Sequence, residues 1–261
     1  MKKIAVVTGG SSGIGLAVVK EFVAKGYFVF ELSRRESQSQ ADVVHIKADV
    51  TDEAQLEVAF EEIAKHGDIS ALVCCAGGGI SGAVEFTLKA DANWLFELNF
   101  FGVVNTVKAA LPGMKKSGGN IVIISSVAAA LPIPFQTYYS ATKAALNAYA
   151  CALANEVKPF SIGVSAIMPG DIKTGFTNSR KKHHFGDDIY GGRISRSVEL
   201  MERDEQNGDS PEAAARFITT VAGRKKIKPL YVIGLKYRLF VLAARILPIK
   251  IVNFVVGKLY G

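Results

Sequence analysis

The regular alternation of short apolar runs with helical patterns constrains the fold of this chain most strongly. The runs are rich in Val, Ile and Leu, and they show little of the polar alternation expected of a strand with one face in water. Such runs are typical of strands in a parallel sheet that helices cover on both faces. The predicted strands span residues 3–9, 27–33, 43–49, 71–77, 120–126, 163–169 and 229–234.

Helical patterns fill most of the intervals between these runs. One of them begins at Ser210, a capping residue that precedes Pro211. The predicted fold class is α/β, a single Rossmann-type, doubly wound, seven-stranded parallel sheet with helices on both faces. In such sheets ligands bind at the carboxyl ends of the strands. The predicted helices span residues 14–25, 53–65, 92–116, 137–157 and 211–222.

Length and composition predict one domain over residues 1–261, because 49% apolar residues are ample for one core. Two segments interrupt the alternation. Residues 175–210 are polar and interrupted by glycines, which predicts a mobile substrate lid. The basic run 180–184 within it is expected in a solvated loop, with contact to an anionic substrate group as the alternative. Residues 235–261 form an apolar, basic tail.

The cysteines and the N-terminus predict a cytoplasmic protein without a metal. Two of the three cysteines, Cys74 and Cys75, are adjacent in an apolar run, and the third is Cys151. This pattern argues against a disulfide framework and for a reducing compartment, and no CxxC or HxxH spacing suggests metal ligands. The start "MKKIAVVTGG" is better interpreted as a first strand than as a signal peptide.

The positive charge is concentrated at the C-terminal end of the chain. The net charge is +7, yet residues 213–261 contain no acidic residue. The cations there are interspersed with aliphatic residues, whereas nucleic-acid binders more often show a basic face with polar or aromatic readers. We therefore expect no nucleic-acid partner.

The stretch "TGGSSGIG", Thr8 to Gly15, follows the first predicted strand and begins the first helix. Backbone N–H groups at such a junction form a site for a pyrophosphate, and the glycines allow a tight turn and a close approach of the ligand. Its spacing differs from the generic dinucleotide fingerprint, so a glycine-rich turn without a ligand is an alternative for this stretch alone. The predicted cofactor contacts are Gly9, Ser11, Ser12, Gly13, Ile14 and Gly15.

The end of the second strand, "FELSRRES", indicates which dinucleotide binds. NAD-binding proteins usually offer a carboxylate to the adenosine ribose, whereas cations suit the 2′-phosphate of NADP. We place Ser33 where the acid would stand, followed by Arg34 and Arg35, which predicts NADP. Glu31 lies two residues deeper on the same side of the strand, so a register shift would weaken the prediction of NADP.

The stretch "YYSATK" contains two adjacent tyrosines, Tyr138 and Tyr139. Residues four apart share one face of a helix, so Tyr139 is paired with Lys143, whereas Tyr138 is paired with Thr142. A phenol with a pKa of about 10 is a poor acid–base catalyst unless a nearby cation lowers that pKa. Lys143 is expected to supply this cation.

With these motifs the chain resembles the short-chain dehydrogenase/reductase family over residues 3 to about 175. The Tyr139–Lys143 pair, Ser126 thirteen residues before Tyr139, and Asn99 in "NFFG" match the family's catalytic pattern. The segment "ADVT" is similar to the family's adenine-contacting segment, "CCAG" to the motif that follows its fourth strand, and "MPGDIKT" to its loop at the nicotinamide carboxamide. The resemblance implies cofactor contacts by Ser33, Arg34, Arg35, Asp49, Val50, Ala76, Gly77, Tyr139, Lys143, Pro169, Gly170, Ile172 and Thr174.

The resemblance also implies a mechanism. Tyr139 would protonate a carbonyl oxygen as hydride arrives from the nicotinamide, and Ser126 would hold that oxygen. Lys143 would keep the phenol acidic and bind the nicotinamide ribose, while Asn99 would hold a water that relays protons. One segment departs from the family, because Cys74 and Cys75 stand where asparagines are common, and we expect them to serve packing rather than redox chemistry.

The substrate and the role of the tail are less constrained. A loose similarity of the tail to retinol and hydroxysteroid dehydrogenases implies a steroid-, retinoid- or lipid-like alcohol or ketone, and the family favours homodimers and homotetramers. The tail is expected to cover the cleft or a neighbouring subunit, or to rest on an anionic membrane, and we favour the cover. Two rival functions are a dinucleotide-binding sensor without turnover and a peripheral membrane protein anchored by its tail.

Overall fold

The computed structural model describes residues 2–36 and 40–261. Its strands are β1 (Ile4–Thr8), β2 (Phe28–Ser33), β3 (Val43–Lys47), β4 (Ile69–Cys74), β5 (Ile80–Ser81), β6 (Gly119–Ile124), β7 (Ile162–Met168), β8 (Lys181–Lys182) and β9 (Leu230–Val232). A parallel sheet of seven strands has the order β3-β2-β1-β4-β6-β7-β9, and β5 pairs with β8 in a separate two-stranded sheet. The predicted seven-stranded parallel sheet is confirmed.

The helices cover both faces of this sheet. They are α1 (Gly13–Ala24), α2 (Glu53–Ala64), α3 (Lys89–Phe96), α4 (Gly102–Ser117), α5 (Thr137–Glu156), α6 (Phe176–Ser179), α7 (Arg193–Gln206), α8 (Pro211–Ala222), α9 (Leu235–Ile246) and α10 (Ile249–Tyr260). The helix predicted over residues 92–116 is divided, because a π-helical turn, Glu97–Phe101, joins α3 to α4. The Ser210 hydroxyl caps α8 as predicted, accepting the Ala213 N–H at 3.2 Å.

Strand alternation divides the core into two layers. Val6 of β1 packs into the layer that also contains Leu56 of α2 and Leu146 of α5. Val7 faces the opposite layer, with Phe22 of α1 and Ile218 of α8. Successive residues of a buried strand therefore each meet a helix, which explains why the strand sequences are apolar throughout.

The order of the strands determines where a ligand can bind. The chain runs from β1 outward to β2 and β3 and then returns to place β4 on the other side of β1. The carboxyl ends of β1 and β4 lie side by side at this switch point, since Thr8 is paired with Cys74. A crevice at the carboxyl ends of β1 and β4 follows from this reversal.

The two segments that interrupt the alternation are largely helical. The predicted lid contains α6, β8 and α7, and Ile194, Val198 and Met201 anchor α7 in the core. The tail forms α9 and α10. Among the residues that the structure describes, no helix has both the length and the apolar character needed to cross a bilayer.

Candidate active site

A cleft of about 600 Å³ opens at the carboxyl edge of the sheet, at the switch point. It is lined by every predicted site residue except Asn99, which is fully buried behind it. The loops after β1, β2, β3, β4, β6 and β7, together with the start of α1 and the first turns of α5, bring these residues together. They are Gly9, Ser11, Ser12, Gly13, Ile14, Gly15, Ser33, Arg34, Arg35, Asp49, Val50, Ala76, Gly77, Ser126, Tyr139, Lys143, Pro169, Gly170, Ile172 and Thr174.

The glycine-rich turn is built for close backbone approach. Gly9 has a φ of 68°, and a Cβ there would lie 2.8 Å from the Ala76 Cα atom. A Cβ on Gly15 would clash with the Gly9 carbonyl oxygen. The Ser12 side chain makes no capping hydrogen bond at the start of α1. The first amides of α1 thus lack a side-chain cap, as a phosphate-binding helix N-terminus requires, and the turn fits a dinucleotide.

Two guanidinium groups stand at the end of β2. Arg35 donates from Nη2 to the Ser12 Oγ at 2.8 Å, so it reaches across to the glycine-rich turn. The Arg34 Nη1 lies 3.8 Å from the Asp49 Oδ2, and the Arg34 side chain is 63% exposed. The Ser33 hydroxyl donates to the Arg35 carbonyl oxygen at 3.1 Å, which holds the turn between them. This end of the cleft is therefore cationic and suits a phosphate.

Glu31 does not compete for the same ligand. It is 2% exposed, and its Oε2 lies 2.5 Å from the His45 Nδ1. Gly10 packs over its side chain so closely that a Cβ at Gly10 would clash with the Glu31 Cγ. Glu31 is absent from the cleft lining, whereas Ser33 is part of it. The register in which Ser33 meets the cleft is the one that the sequence predicts.

Tyr139, Lys143 and Ser126 converge at the other end of the cleft. The Lys143 Nζ lies 5.7 Å from the centre of the Tyr139 ring and donates to the Ile124 carbonyl oxygen at 2.9 Å. The Ser126 hydroxyl lies near enough to the Tyr139 phenol to influence its pKa, and it accepts the Ala128 N–H at 3.1 Å, which orients it. Tyr138 does not line the cleft. Of the two tyrosines, the structure places Tyr139 beside the serine and the lysine.

Burial dominates the ionisation of this group. It raises the pKa of Tyr139 to about 12, although the Ser126 hydrogen bond and the Arg180 charge act to lower it. Burial lowers the pKa of Lys143 to about 8. The sequence predicts that Lys143 lowers the pKa of the Tyr139 phenol, but the structure raises it. Burial disfavours the phenolate more than the neighbouring groups favour it.

The Asn99 side chain braces the site from behind. Its Oδ1 accepts the Gly78 N–H at 2.8 Å, and its Nδ2 donates to the Gly78 carbonyl oxygen at 3.0 Å and to the Thr142 Oγ1 at 3.1 Å. Thr142 in turn donates to the Tyr139 carbonyl oxygen at 2.8 Å. Asn99 thereby connects the loop after β4 to the helix that carries Tyr139, and its proton-relay role stays a prediction.

The adjacent cysteines occupy different environments. Cys74 is buried in the core, and burial raises the pKa of its thiol. Cys75 lines the cleft, where burial raises its pKa to about 12 against the opposing charge of Lys143. Both thiols are free and protonated at neutral pH. These environments agree with the expected packing role.

Sequence reasoning missed a buried ion pair next to Tyr139. Arg180 is 5% exposed rather than solvated, and its Nη2 is paired with the Glu205 Oε1. Thr177 donates to the other Glu205 oxygen at 2.6 Å. Phe176 packs against both the pair and the site, with its ring 5.8 Å from that of Tyr139 and 5.4 Å from the guanidinium. The two charges are 25 residues apart, so no local pattern reveals the pair.

The end of the cleft near Tyr139 is mainly apolar. Carbon-rich side chains from α3, the π-helical turn after it, α6, α7, α10 and the loop after β6 surround it, with Gln136, Ser179 and Glu205 among the polar residues there. These apolar residues are Trp94, Leu98, Val127, Ile133, Phe176, Met201 and Tyr260.

The tail contacts the cleft through two tyrosines. Tyr237 of α9 packs on Gly170, where a Cβ would clash with its ring, and its hydroxyl bonds to the Asp171 Oδ2. Tyr260 of α10 lines the cleft and donates to the Asp204 Oδ2 at 3.0 Å. The tail is thus attached both to the predicted nicotinamide segment and to α7.

Comparison with known proteins gives consistent results. Residues 3–184 match the family model described as short chain dehydrogenase. The chain is 37% identical to the 3-ketodihydrosphingosine reductase of Bacteroides thetaiotaomicron, covering 85% of this chain and 84% of that protein. A short-chain dehydrogenase from Streptomyces avermitilis superimposes with a TM-score of 0.84 at 29% identity, covering 99% of this chain and 96% of the other. ElxO with NADP bound has a TM-score of 0.74 at 28% identity, covering 92% and 100%.

Proposed function

This chain belongs to the short-chain dehydrogenase/reductase family, and on that premise we propose that it is an NADP(H)-dependent oxidoreductase. In this proposal it transfers hydride between the nicotinamide and a carbonyl or secondary alcohol of an apolar substrate, with Tyr139 as acid and base. The observation that carries the proposal is a single cleft with Arg34 and Arg35 at one end and Tyr139, Lys143 and Ser126 at the other.

The cationic end supports NADP. Arg34 and Arg35 are placed to form charge-assisted hydrogen bonds with a 2′-phosphate, and Glu31 is buried against His45 where it cannot reach a ribose. ElxO, which aligns with 92% of this chain, binds NADP in its solved structure. Bound NADPH supplies the hydride.

The protein's own residues handle the proton. Tyr139 is neutral at physiological pH because its pKa is about 12, so it holds the proton that a carbonyl oxygen must receive. Ser126, on the same side of the cleft as that phenol, holds the same substrate oxygen in line. The Lys143 ammonium beside the ring stabilises the phenolate left after transfer. Asn99 keeps the loop and helix of this site in register.

We propose a lipid-like ketone as the substrate and reduction as the direction. The apolar lining around Tyr139 excludes water from a hydrophobic substrate and offers few polar partners. The relative in Bacteroides thetaiotaomicron is named 3-ketodihydrosphingosine reductase. Steroid- and retinoid-like ketones are less favoured candidates on the same surface. Residues 175–210 act as the lid in this proposal, and residues 1–261 form one catalytic domain.

The test is oxidation of NADPH with a panel of long-chain, steroid and retinoid ketones, followed by absorbance and repeated with NADH. We expect turnover with NADPH and a lipid-like ketone. NADPH binding without turnover of any ketone or alcohol would instead identify a dinucleotide-binding sensor.

We further propose that the protein is a cytoplasmic homodimer or homotetramer assembled through α4 and α5. The side chain of Phe101, next to α4, is 44% exposed, which suits a helix packed against a second copy. Light scattering of the purified chain, with Phe101→Glu as the variant, measures this assembly directly.

A further inference from the structure

The outward face of the tail carries an unusual number of exposed apolar side chains, and we call it the tail surface. The two helices contribute little to the core, since Val241 is the buried residue of α9 and Val252 and Val256 are those of α10. Soluble proteins rarely leave large apolar patches in water. The tail surface consists of Leu235, Leu239, Phe240, Leu242, Ile246, Leu247, Ile249, Ile251, Phe254, Val255 and Leu259, all at least 44% exposed.

The charged side chains that α9 and α10 themselves carry all have one sign. No acidic residue occurs from residue 213 to the end of the chain, whereas α9 and α10 carry Lys236, Arg238, Arg245, Lys250 and Lys258. A second copy packed face to face would bring these cations together with no carboxylate from either tail between them. The complementary partner is therefore apolar and negatively charged.

We propose that the tail surface docks on an anionic phospholipid bilayer. No helix among the described residues is long and apolar enough to cross one, so α9 and α10 lie in the interface. Their aliphatic and aromatic side chains enter the acyl boundary, and their lysines and arginines meet the lipid phosphates.

The same two helices connect the bilayer to the cleft. Tyr260 ends α10 and lines the cleft, and its hydroxyl holds Asp204 of α7. Tyr237 of α9 holds Asp171. A lipid-like ketone therefore enters the apolar end of the cleft directly from the membrane, beside Tyr260, without crossing water. This route rests on the proposed function.

Vesicle co-sedimentation of the full chain at low salt tests the docking. We expect binding to phosphatidylcholine vesicles containing about a quarter phosphatidylglycerol, and much weaker binding to phosphatidylcholine alone or at high salt. Phe254→Glu, at a side chain that is 65% exposed, is expected to weaken binding about tenfold or more. The matched control Val58→Glu, at a residue of α2 that is 68% exposed, retains binding.

Two results overturn the docking proposal. One is wild-type protein that stays in the supernatant with anionic vesicles. The other is a wild-type oligomer that Phe254→Glu dissociates in light scattering while vesicles are not bound, which assigns the tail surface to a second copy. Turnover of the long-chain, steroid and retinoid ketones with NADPH is measured separately, so vesicle binding without turnover of any of them rejects the proposed reaction and leaves the docking surface intact.

Discussion

At the centre of the cleft, Lys143 holds its ammonium group almost entirely out of water, 6% exposed and 2.9 Å from the Ile124 carbonyl oxygen. Such burial costs free energy, and the lowering of its pKa to about 8 measures this cost. Functional sites often contain ionisable groups whose pKa values are strongly shifted, even where their burial lowers the stability of the fold. Tyr139, with its pKa raised by the same burial, is the second such group.

Lys143→Met is expected to abolish turnover. At neutral pH its free energy of unfolding is expected to be close to that of the wild type or higher, although a core substitution usually lowers it. Below pH 8 the lysine is charged in both folded and unfolded chains, so the wild type bears the full burial cost. Between pH 8 and the unfolded value of 10.5 the unfolded chain binds more protons, so wild-type stability rises relative to the variant. Urea unfolding of both proteins at pH 7 and pH 10 measures the difference, and a difference independent of pH would contradict the assigned pKa.

Tyr139→Phe is expected to lower kcat by at least about a hundredfold, because it removes the proton donor and leaves the ring packing. NADPH affinity should change little. The matched control is Tyr138→Phe, which removes the adjacent phenol outside the cleft and should keep most activity. Equal losses from the two substitutions would show that the wrong helix face has been assigned to catalysis.

At the scale of elements, the predicted strands and most helices were recognisable because each carries its own local pattern. The catalytic motifs were recognisable for a related reason, since each lies at a strand end and topology brings those ends together. Helix α7 was missed although Ile194, Val198 and Met201 recur at helical spacing, because charged residues outnumber them. The Arg180–Glu205 pair was beyond reach, since nothing in the sequence specifies a contact between α6 and α7.

Glu205→Gln is expected to destabilise the protein by about 2 kcal/mol or more, because it leaves the Arg180 charge buried without a carboxylate. Helix α7 should lose hydrogen-exchange protection before the sheet does. Glu202→Gln is the control in the same helix. It removes the carboxylate of an ion pair with Lys182 that is more exposed, since the side chain of Lys182 is 30% exposed and that of Glu202 is 28% exposed. Equal stability losses in the two variants by urea unfolding would contradict the importance assigned to the buried pair.

At the scale of the whole molecule, one crevice joins contributions from almost every part of the chain. The glycine-rich turn comes from its beginning, Tyr139 from its middle and Tyr260 from its penultimate position. A ligand that fills the cleft therefore stabilises the chain as a unit, because it binds the folded state and not the separated segments. Cofactor preference can accordingly be measured as a shift in Tm.

NADPH at about a hundredfold excess over its Kd is expected to raise Tm by roughly 5–10 °C for a chain of this size. NADH at the same concentration should give a smaller shift, because it lacks the phosphate that Arg34 and Arg35 are placed to bind, and each charge-assisted hydrogen bond contributes about 1.5–3 kcal/mol. The Arg34→Ala, Arg35→Ala double variant should reduce the NADPH shift to that of NADH, whereas Arg196→Ala, an exposed cation of α7 outside the cleft, should not. Wild-type shifts in Tm of the same size for both dinucleotides would contradict the assignment of NADP. Glu31 is buried against His45, so it is not placed to provide the carboxylate that an NAD site requires.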